Sequence, residues 1–216
     1  MEALVWYAAY GSNMHAARLG YYLKGGQPPG GRRTYPGCRD PSPPRRTAGA
    51  MLPGGIYFAG ESPAWTGGAA FYDRHLPGAA AARAYLLTVS QFSDIATQEM
   101  YRPPGTDLDL TPLWAHGHLR LGDGRYETLV HAGDRDGHPV ITFTAPWSAH
   151  DAVLNTPAPR YLEMISSGLH EAHTWSQPEI ATYLSARPGV TQPVPELTAL
   201  AARGISLGML ITPENP

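Results

Sequence analysis

The chain is organised around the stretch Tyr7-Ala8-Ala9-Tyr10-Gly11-Ser12-Asn13-Met14. It continues the apolar, strand-forming run that precedes it. Glycine tolerates backbone angles that other residues avoid, and serine and asparagine are both favourable residues at a helix N-cap. The pattern therefore predicts a strand over residues 3–10, a break at Gly11 and a helix over residues 13–24.

A turn of this kind is suited to holding an anion. The first N–H groups of a helix have no partner within the helix, and the positive end of its dipole points towards the turn. Both features favour a carboxylate or a phosphate. We predict that the backbone around Gly11, Ser12 and Asn13 holds an anionic group of a small ligand. The alternative is a capped strand–helix junction that binds nothing.

Three segments of the chain resemble the γ-glutamylcyclotransferase-like family. Tyr10-Gly11-Ser12-Asn13 is similar to the Tyr-Gly-Ser-Asn signature on the family's first strand. Residues 84–99, which end in Gln98-Glu99, resemble its strand, helical turn and catalytic glutamate. Pro157-Ala158-Pro159-Arg160-Tyr161 resembles a helix start late in the domain, with Ala158 in place of a serine. Three motifs in the family's order are more specific for the fold than one alone.

The resemblance implies a fold, an activity and a site. The fold is α+β, a small mixed β-barrel flanked by helices. The activity is cyclisation of a γ-glutamyl amide to 5-oxoproline with release of an amine, which requires a small-molecule γ-glutamyl substrate and no cofactor. Glu99 is the implied catalytic residue, and the implied substrate-binding residues are Tyr10, Gly11, Ser12, Asn13 and Tyr161.

The chain also departs from the family. Ala8 lies where an aromatic residue is usual, and Met100 follows Glu99 where glycine is expected. These differences leave the leaving-group side of the pocket, and therefore the substrate, open.

Helical periodicity places Glu99 independently of the resemblance. In a helix over residues 90–100, Phe92, Ile95 and Glu99 lie on one face. A carboxylate on the apolar side is partly desolvated, which raises its pKa and suits a proton-transfer group. The alternative is a solvent-facing acid at a helix end.

Other interpretations of the candidate residues stay open. The ring of Tyr10 lines a pocket or packs in the core. Tyr161 donates a hydrogen bond to the substrate or to Glu99, or is a core tyrosine at a helix start. The alternative functions are an amide hydrolase on the same fold, with water as the nucleophile, and a non-catalytic small-molecule binding module.

Further elements follow from local patterns. We predict strands over residues 50–59, 65–72 and 82–89, hairpins within 115–145, and helices over 158–173 and after Ser176. Gly67 and Gly68 within the second of these strands indicate a bulge or a close backbone approach.

The chain of 216 residues is long enough for one domain with its own core. We predict a single γ-glutamylcyclotransferase-like domain over residues 1–216, with a Pro/Gly/Arg-rich loop at about 25–48 and a C-terminal extension at about 187–216. Within the extension, residues 197–200 are a candidate helix and 207–211 a candidate strand. The arginine-rich loop is a lid or a basic rim for an acidic substrate, or a solvated loop, which its composition favours.

Composition restricts the class of protein. A net charge of −2 gives no overall field for nucleic acid or an anionic membrane. We find no run of about 18 apolar residues and no signal-peptide pattern, so we expect a cytoplasmic enzyme. The oligomeric state is not predicted.

Neither cysteine nor histidine chemistry is indicated. Cys38 is the only cysteine, so it forms no disulfide within the chain, and nothing near it in sequence activates it as a nucleophile. His116, His118 and His131, with acidic residues at turns nearby, raise the question of a zinc site. Their spacing is too loose to favour one, and we predict no metal.

Overall fold

The computed structural model describes residues 3–29, 31, 33–191 and 194. The candidate helix at 197–200 and the candidate strand at 207–211 lie outside the described residues.

The described residues form a mixed α+β fold, as predicted, with eight strands and five α-helices. The strands are β1 (Leu4–Ala9), β2 (Arg46–Pro53), β3 (Gly55–Ala59), β4 (Ala69–Asp73), β5 (Ala79–Thr88), β6 (His118–Arg120), β7 (Thr128–Arg135) and β8 (His138–Thr144). The helices are α1 (Ala16–Lys24), α2 (Val89–Glu99), α3 (Thr111–His116), α4 (Pro159–His173) and α5 (Gln177–Ser185).

Six of the strands form one sheet in the order β2-β5-β1-β8-β7-β6. The strand β1 lies inside it, antiparallel to β5 with Tyr7 opposite Tyr85, and parallel to β8 with Tyr7 opposite Ile141. Residues 5–9 are all buried. The end of β1, which Tyr10 and Gly11 follow, therefore lies between β5 and β8 and not at an edge of the sheet.

The prediction of a small barrel is wrong, because the six-stranded sheet is open. Within the described residues β2 and β6 are its two end strands. Closure requires the end strands to exchange main-chain hydrogen bonds, and β6 has only three residues. Side chains instead connect β2 to the β7–β8 hairpin: Arg46 pairs with Asp136 at 3.0 Å, and Arg135 donates to the carbonyl of Gly49 at 2.9 Å.

The strands β3 and β4 form a separate hairpin. It is attached to β8 by the Thr144 hydroxyl, which accepts the Tyr72 N–H at 3.0 Å and donates to the Tyr72 carbonyl at 2.7 Å. The predicted strand at 65–72 begins only at Ala69. The predicted close approach is confirmed, since a Cβ on Gly68 would lie 2.0 Å from the carbonyl oxygen of Asn155.

The helix predicted over residues 13–24 has two parts. Ser12–Met14 is a single 3-10 turn, and α1 begins at Ala16. The N–H of Ala16 donates to the carboxylate of Glu171 at 3.1 Å. The positive end of the α1 dipole is therefore occupied by the chain's own carboxylate, so the helix-dipole part of the anion prediction is wrong.

The buried face of α1 differs from the one that helical periodicity indicates, since Met14, Ala17 and Tyr21 fall at i, i+3 and i+7 of the predicted helix. The residues of α1 that are buried are Arg18, Leu19, Tyr22 and Leu23. The reason is that Arg18 is buried although it is charged. A pattern that counts arginine as polar therefore assigns the wrong face.

The helix α2 agrees with the prediction over residues 90–100 and buries Phe92 and Ile95. Its C-terminal bonds run from the Tyr101 N–H to the Gln98 carbonyl at 3.1 Å and from the Arg102 N–H to the Thr97 carbonyl at 3.0 Å. This arrangement requires a left-handed residue, usually glycine. Here Tyr101 adopts it, with φ of 58°.

The helix α4 packs directly on the Ser12–Met14 turn. A Cβ on Gly168 would lie 2.4 Å from the Met14 Cβ and 2.8 Å from the His15 nitrogen. The two backbones approach so closely that no side chain fits at residue 168.

We expect Gly168→Ala to lower the free energy of unfolding by at least about 1–3 kcal/mol, because the added methyl forces the turn and α4 apart. Denaturant unfolding measures the change. Gly20→Ala is the matched control, since a Cβ there meets nothing within 4 Å and alanine favours a helix by about 1 kcal/mol. Equal effects of the two substitutions would contradict the close approach.

At residue 101 we expect the glycine variant to be more stable than the alanine variant by about 1 kcal/mol. Both Tyr101→Gly and Tyr101→Ala remove the same ring, which is 60% exposed, so their difference reports the left-handed backbone alone. The two free energies of unfolding are compared in the same denaturant. An alanine variant as stable as the glycine variant is the result that this account does not allow.

Candidate functional site

A cavity of about 210 Å³ lies beside the end of β1 and the C-terminal end of α2. All six residues predicted for the site line it: Tyr10, Gly11, Ser12, Asn13, Glu99 and Tyr161. The structure therefore brings together two segments more than 80 residues apart in sequence, as Asn13 and Glu99 are. The roles of these residues stay predictions.

Gly11 and the first residues of the Ser12–Met14 turn line the cavity. The turn's own hydrogen bonds run from Met14 N–H to the Gly11 carbonyl at 3.0 Å and from His15 N–H to the Ser12 carbonyl at 3.2 Å. Among the described residues, the N–H groups of Gly11, Ser12 and Asn13 have no acceptor. Unpaired backbone donors at a cavity are available to an anion, even without a helix dipole.

Two side chains of β5 donate hydrogen bonds to carbonyl groups of the turn. The Tyr85 hydroxyl donates to the Asn13 carbonyl at 2.8 Å, and Arg83 donates to the Met14 carbonyl at 3.2 Å. Arg83 also pairs with Glu171, whose carboxylate caps α1. The donors of the turn are thus fixed before any ligand arrives.

Gly11 suits its position for a reason other than the predicted one. Its φ of −108° is open to any residue. A Cβ on Gly11 would instead lie 3.1 Å from the hydroxyl oxygen of Tyr161. The absence of a side chain lets the Tyr161 hydroxyl approach the turn.

Glu99 is half-buried and lines the cavity. Its Oε1 accepts a hydrogen bond from the Asn13 Nδ2 at 2.9 Å. Burial raises the pKa of Glu99, while a hydrogen bond from Tyr22 and the positive charge of Arg18 partly oppose that shift. The carboxyl therefore exchanges its proton closer to neutral pH than an exposed glutamate does.

The two predicted tyrosines differ in what they offer a ligand. The Tyr10 hydroxyl donates to the Phe143 carbonyl at 2.8 Å, so this residue contributes only its ring to the wall. The Tyr161 oxygen accepts the Ala70 N–H at 3.3 Å. Burial raises the pKa of Tyr161, so its hydroxyl keeps a proton. Tyr161 can therefore donate into the cavity.

Sequence reasoning missed several residues of the site. Arg18 is 8% exposed, lies with its guanidinium carbon 4.8 Å from the centre of the Tyr35 ring, and donates to the Tyr35 hydroxyl. The available signal was an arginine within the apolar pattern of α1. Other lining residues that were missed are Tyr22, Trp65, Tyr101, Arg125 and Tyr126.

The arginine-rich loop is neither wholly a rim nor wholly solvated. Arg33 lines the cavity. Arg39 pairs with the buried Asp94 at 3.0 Å and with Asp107 at 2.6 Å, so it fixes the loop to α2. The loop is also shorter than predicted, because β2 begins at Arg46.

The remaining candidates take no visible part in the site. Burial raises the pKa of the Cys38 thiol to about 12, so it is a poor nucleophile. Arg102, which follows α2, pairs with Glu127. The described residues contain no group of three or more side chains that could hold a metal ion. No helix in the described ranges is long and apolar enough to cross a membrane.

No protein-family model matches the chain. Histone deacetylase 5 of Arabidopsis thaliana is 30% identical over 202 residues, a match that covers 83% of this chain and 30% of that protein. The chain spans less than a third of the length of this relative, whose name describes the longer protein.

Two solved structures match most of the chain. A γ-glutamyl cyclotransferase matches with a TM-score of 0.51 and 15% identity, over 93% of this chain and 99% of that one. The crystal structure of an uncharacterized human protein, loc79017, also matches with a TM-score of 0.51, at 17% identity over 94% of this chain and 99% of that one. The resemblance in fold expected from the sequence is therefore confirmed, and the chain has the fold of γ-glutamyl cyclotransferase.

Proposed function

We propose that the chain is a γ-glutamylcyclotransferase-like enzyme, which cyclises a γ-glutamyl amide to 5-oxoproline and releases an amine. The observation that carries this proposal is the position of Glu99. A half-buried carboxyl with a raised pKa lies in the same cavity as three unpartnered backbone N–H groups. This carboxyl accepts a hydrogen bond from the side chain of Asn13.

The substrate's α-carboxylate is assigned to the backbone of Gly11, Ser12 and Asn13. Hydrogen bonds to an ionised group are stronger than neutral ones, and these donors are already oriented. The Tyr161 hydroxyl, which lies over Gly11, donates a further hydrogen bond to the substrate. Together these contacts hold the γ-glutamyl group in a folded rotamer.

The chemistry then needs one proton-transfer group. Glu99, as a carboxylate, takes a proton from the substrate's α-ammonium group. The neutral amine attacks the γ-carbonyl carbon and closes the five-membered ring. Glu99 returns the proton to the amide nitrogen as the carbon–nitrogen bond breaks, so the amine leaves. Glu99 then takes the second proton from the ring nitrogen and passes it to the released amine. Since nucleophile and carbonyl are parts of one molecule, orientation supplies much of the rate enhancement.

The products distinguish this reaction from the alternatives. Cyclisation yields 5-oxoproline and an amine, whereas a hydrolase using water as the nucleophile would yield free glutamate. A binding module would yield neither product.

We expect Glu99→Gln to lower kcat/KM for γ-glutamyl compounds by at least about 100-fold, because the amide cannot transfer the proton. The assay follows 5-oxoproline and the released amine by mass spectrometry, with thermal unfolding as the test that the fold is retained. Glu163→Gln on α4 is the control, as Glu163 does not line the cavity. A fully active Glu99→Gln enzyme would remove the role assigned here.

Stability should depend on pH through the same group. The pKa of Glu99 is higher in the folded protein than in the unfolded chain, where it is about 4.3. The protonated carboxyl therefore contributes stability at low pH. This contribution is lost as the pH rises from the unfolded pKa through the folded pKa. We expect the free energy of unfolding of Glu99→Gln, minus that of the wild type, to increase across this window. Denaturant unfolding at a series of pH values tests it, and a difference that does not change with pH would mean that the carboxyl is not desolvated.

A further inference from the structure

The side chains behind the Ser12–Met14 turn are connected by hydrogen bonds to the peptide groups that line the cavity. A peptide group whose carbonyl accepts a hydrogen bond becomes a stronger donor at its own N–H, and this effect accumulates along a row of hydrogen-bonded groups. Each carbonyl of the turn is therefore linked, through the N–H of the same peptide group, to the next group in the row. Two such hydrogen-bond relays begin at side chains of β5.

The first relay begins at Arg83. Its Nη1 donates to the Met14 carbonyl at 3.2 Å. The N–H of that peptide group belongs to His15 and donates to the Ser12 carbonyl at 3.2 Å. The next peptide group ends in the N–H of Asn13, which has no acceptor among the described residues, and Asn13 lines the cavity. Two peptide groups thus connect a positive charge to an unpaired donor.

The second relay begins at Tyr85, whose hydroxyl donates to the Asn13 carbonyl at 2.8 Å. The N–H of that peptide group belongs to Met14 and donates to the Gly11 carbonyl at 3.0 Å. The next peptide group ends in the N–H of Ser12, which also lacks an acceptor in the described part of the chain. Ser12 lines the cavity as well. The two relays therefore reach two of the three unpaired N–H groups.

The charge of Arg83 is placed so that it acts over a distance. Its side chain is only 16% exposed, so water and salt screen the charge less than they do at the surface. Glu171 pairs with Arg83 and offsets part of this charge. The same carboxylate also accepts the Ala16 N–H at 3.1 Å and lies 3.2 Å from the His15 Nε2, so it is shared among three partners.

We propose that Arg83 and Tyr85 are positioning residues for anion binding, which strengthen the unpaired N–H groups of the turn without touching the anion. Arg83 acts on the N–H of Asn13 and Tyr85 on that of Ser12. The effect depends on the charge of the ligand, because a hydrogen bond to an ionised group is stronger than one to a neutral group. This inference rests on the proposed function, in which these N–H groups hold the α-carboxylate of the substrate.

A purely structural role is the alternative. If the two side chains only keep the turn in place, the loss of either one weakens every ligand of the cavity equally. If they polarise the N–H groups, the loss weakens an acid more than a neutral ligand of the same shape. The ligands 5-oxoproline and 5-oxoprolinamide differ only in a carboxylate against a neutral amide. The ratio of their dissociation constants therefore separates the two roles.

Isothermal titration calorimetry on the full chain measures this ratio. We expect the wild type to bind 5-oxoproline at least about tenfold more tightly than the amide, as for hydrogen bonds to a charged group. Arg83→Met and Tyr85→Phe should each reduce that preference by at least about threefold, because each removes the first donor of a relay. Arg83→Lys, which keeps the charge, should reduce it less than Arg83→Met does. Tyr85→Phe removes a single oxygen atom, so it provides the test even if Arg83→Met does not fold.

Arg46→Met is the matched control. Arg46 is also a strand arginine that pairs with a carboxylate and lies over an aromatic ring, but it is not among the described residues that line the cavity. Its variant should leave the preference for the acid unchanged, and thermal unfolding shows whether each variant is folded. An equal loss for acid and amide in the Arg83 and Tyr85 variants, or a wild type without preference, would overturn the proposal.

Calorimetry requires no turnover, so it also separates this proposal from the proposed reaction. If no γ-glutamyl compound is cyclised but 5-oxoproline is preferred in a way that depends on Arg83 and Tyr85, the reaction fails and the relays stand. If compounds are cyclised and neither variant changes the preference, the reaction stands and the relays are overturned. The absence of both turnover and binding overturns both proposals.

Discussion

The contact between the Ser12–Met14 turn and α4 is the constraint on which the rest of the site depends. It is a contact between backbones, possible because Gly168 has no side chain. The same helix supplies Glu171, which caps α1, and Tyr161, whose hydroxyl reaches Gly11. One helix therefore sets the position of the turn, the start of α1 and a donor in the cavity.

Several features that cost stability occur together around this cavity. A carboxyl is desolvated at Glu99, a guanidinium is buried at Arg18, and a tyrosine holds a left-handed backbone at residue 101. Each departs from a local rule of protein stability, and such departures are expected where a fold carries a function. All three features lie at one cavity, and together they favour a ligand there more strongly than any one of them does alone.

The fold establishes the architecture of the chain, whereas its function is inferred from the residues of the site. Likeness to γ-glutamyl cyclotransferase at 15% identity establishes the architecture, but one architecture serves many functions. Proton transfer is proposed from the position of Glu99, which accepts a hydrogen bond from Asn13 in the cavity. Arg33 of the arginine-rich loop also lines the cavity, so this loop helps to shape the pocket.

The sequence by itself determined the features that depend on local order. Periodicity located α2 and α4, apolar strand formers located β1, and Ser176 marked the start of α5, where the structure shows its capping box. These predictions succeed because a helix or strand repeats its contacts every few residues. The repeat appears in the sequence as a periodic pattern of apolar residues.

Tertiary structure alone decided what depends on distant partners. The sheet stays open because β2 and β6 find no strand to pair with in the described residues, and no local pattern records a missing partner. The helix starts at Ala16 because Glu171, 155 residues away, caps it there. Arg18 is buried because the rings of Tyr35 and Trp65 come from other segments of the chain. Long-range contacts of this kind leave no period in the sequence, so the charge of the pocket could be seen only once the chain was folded.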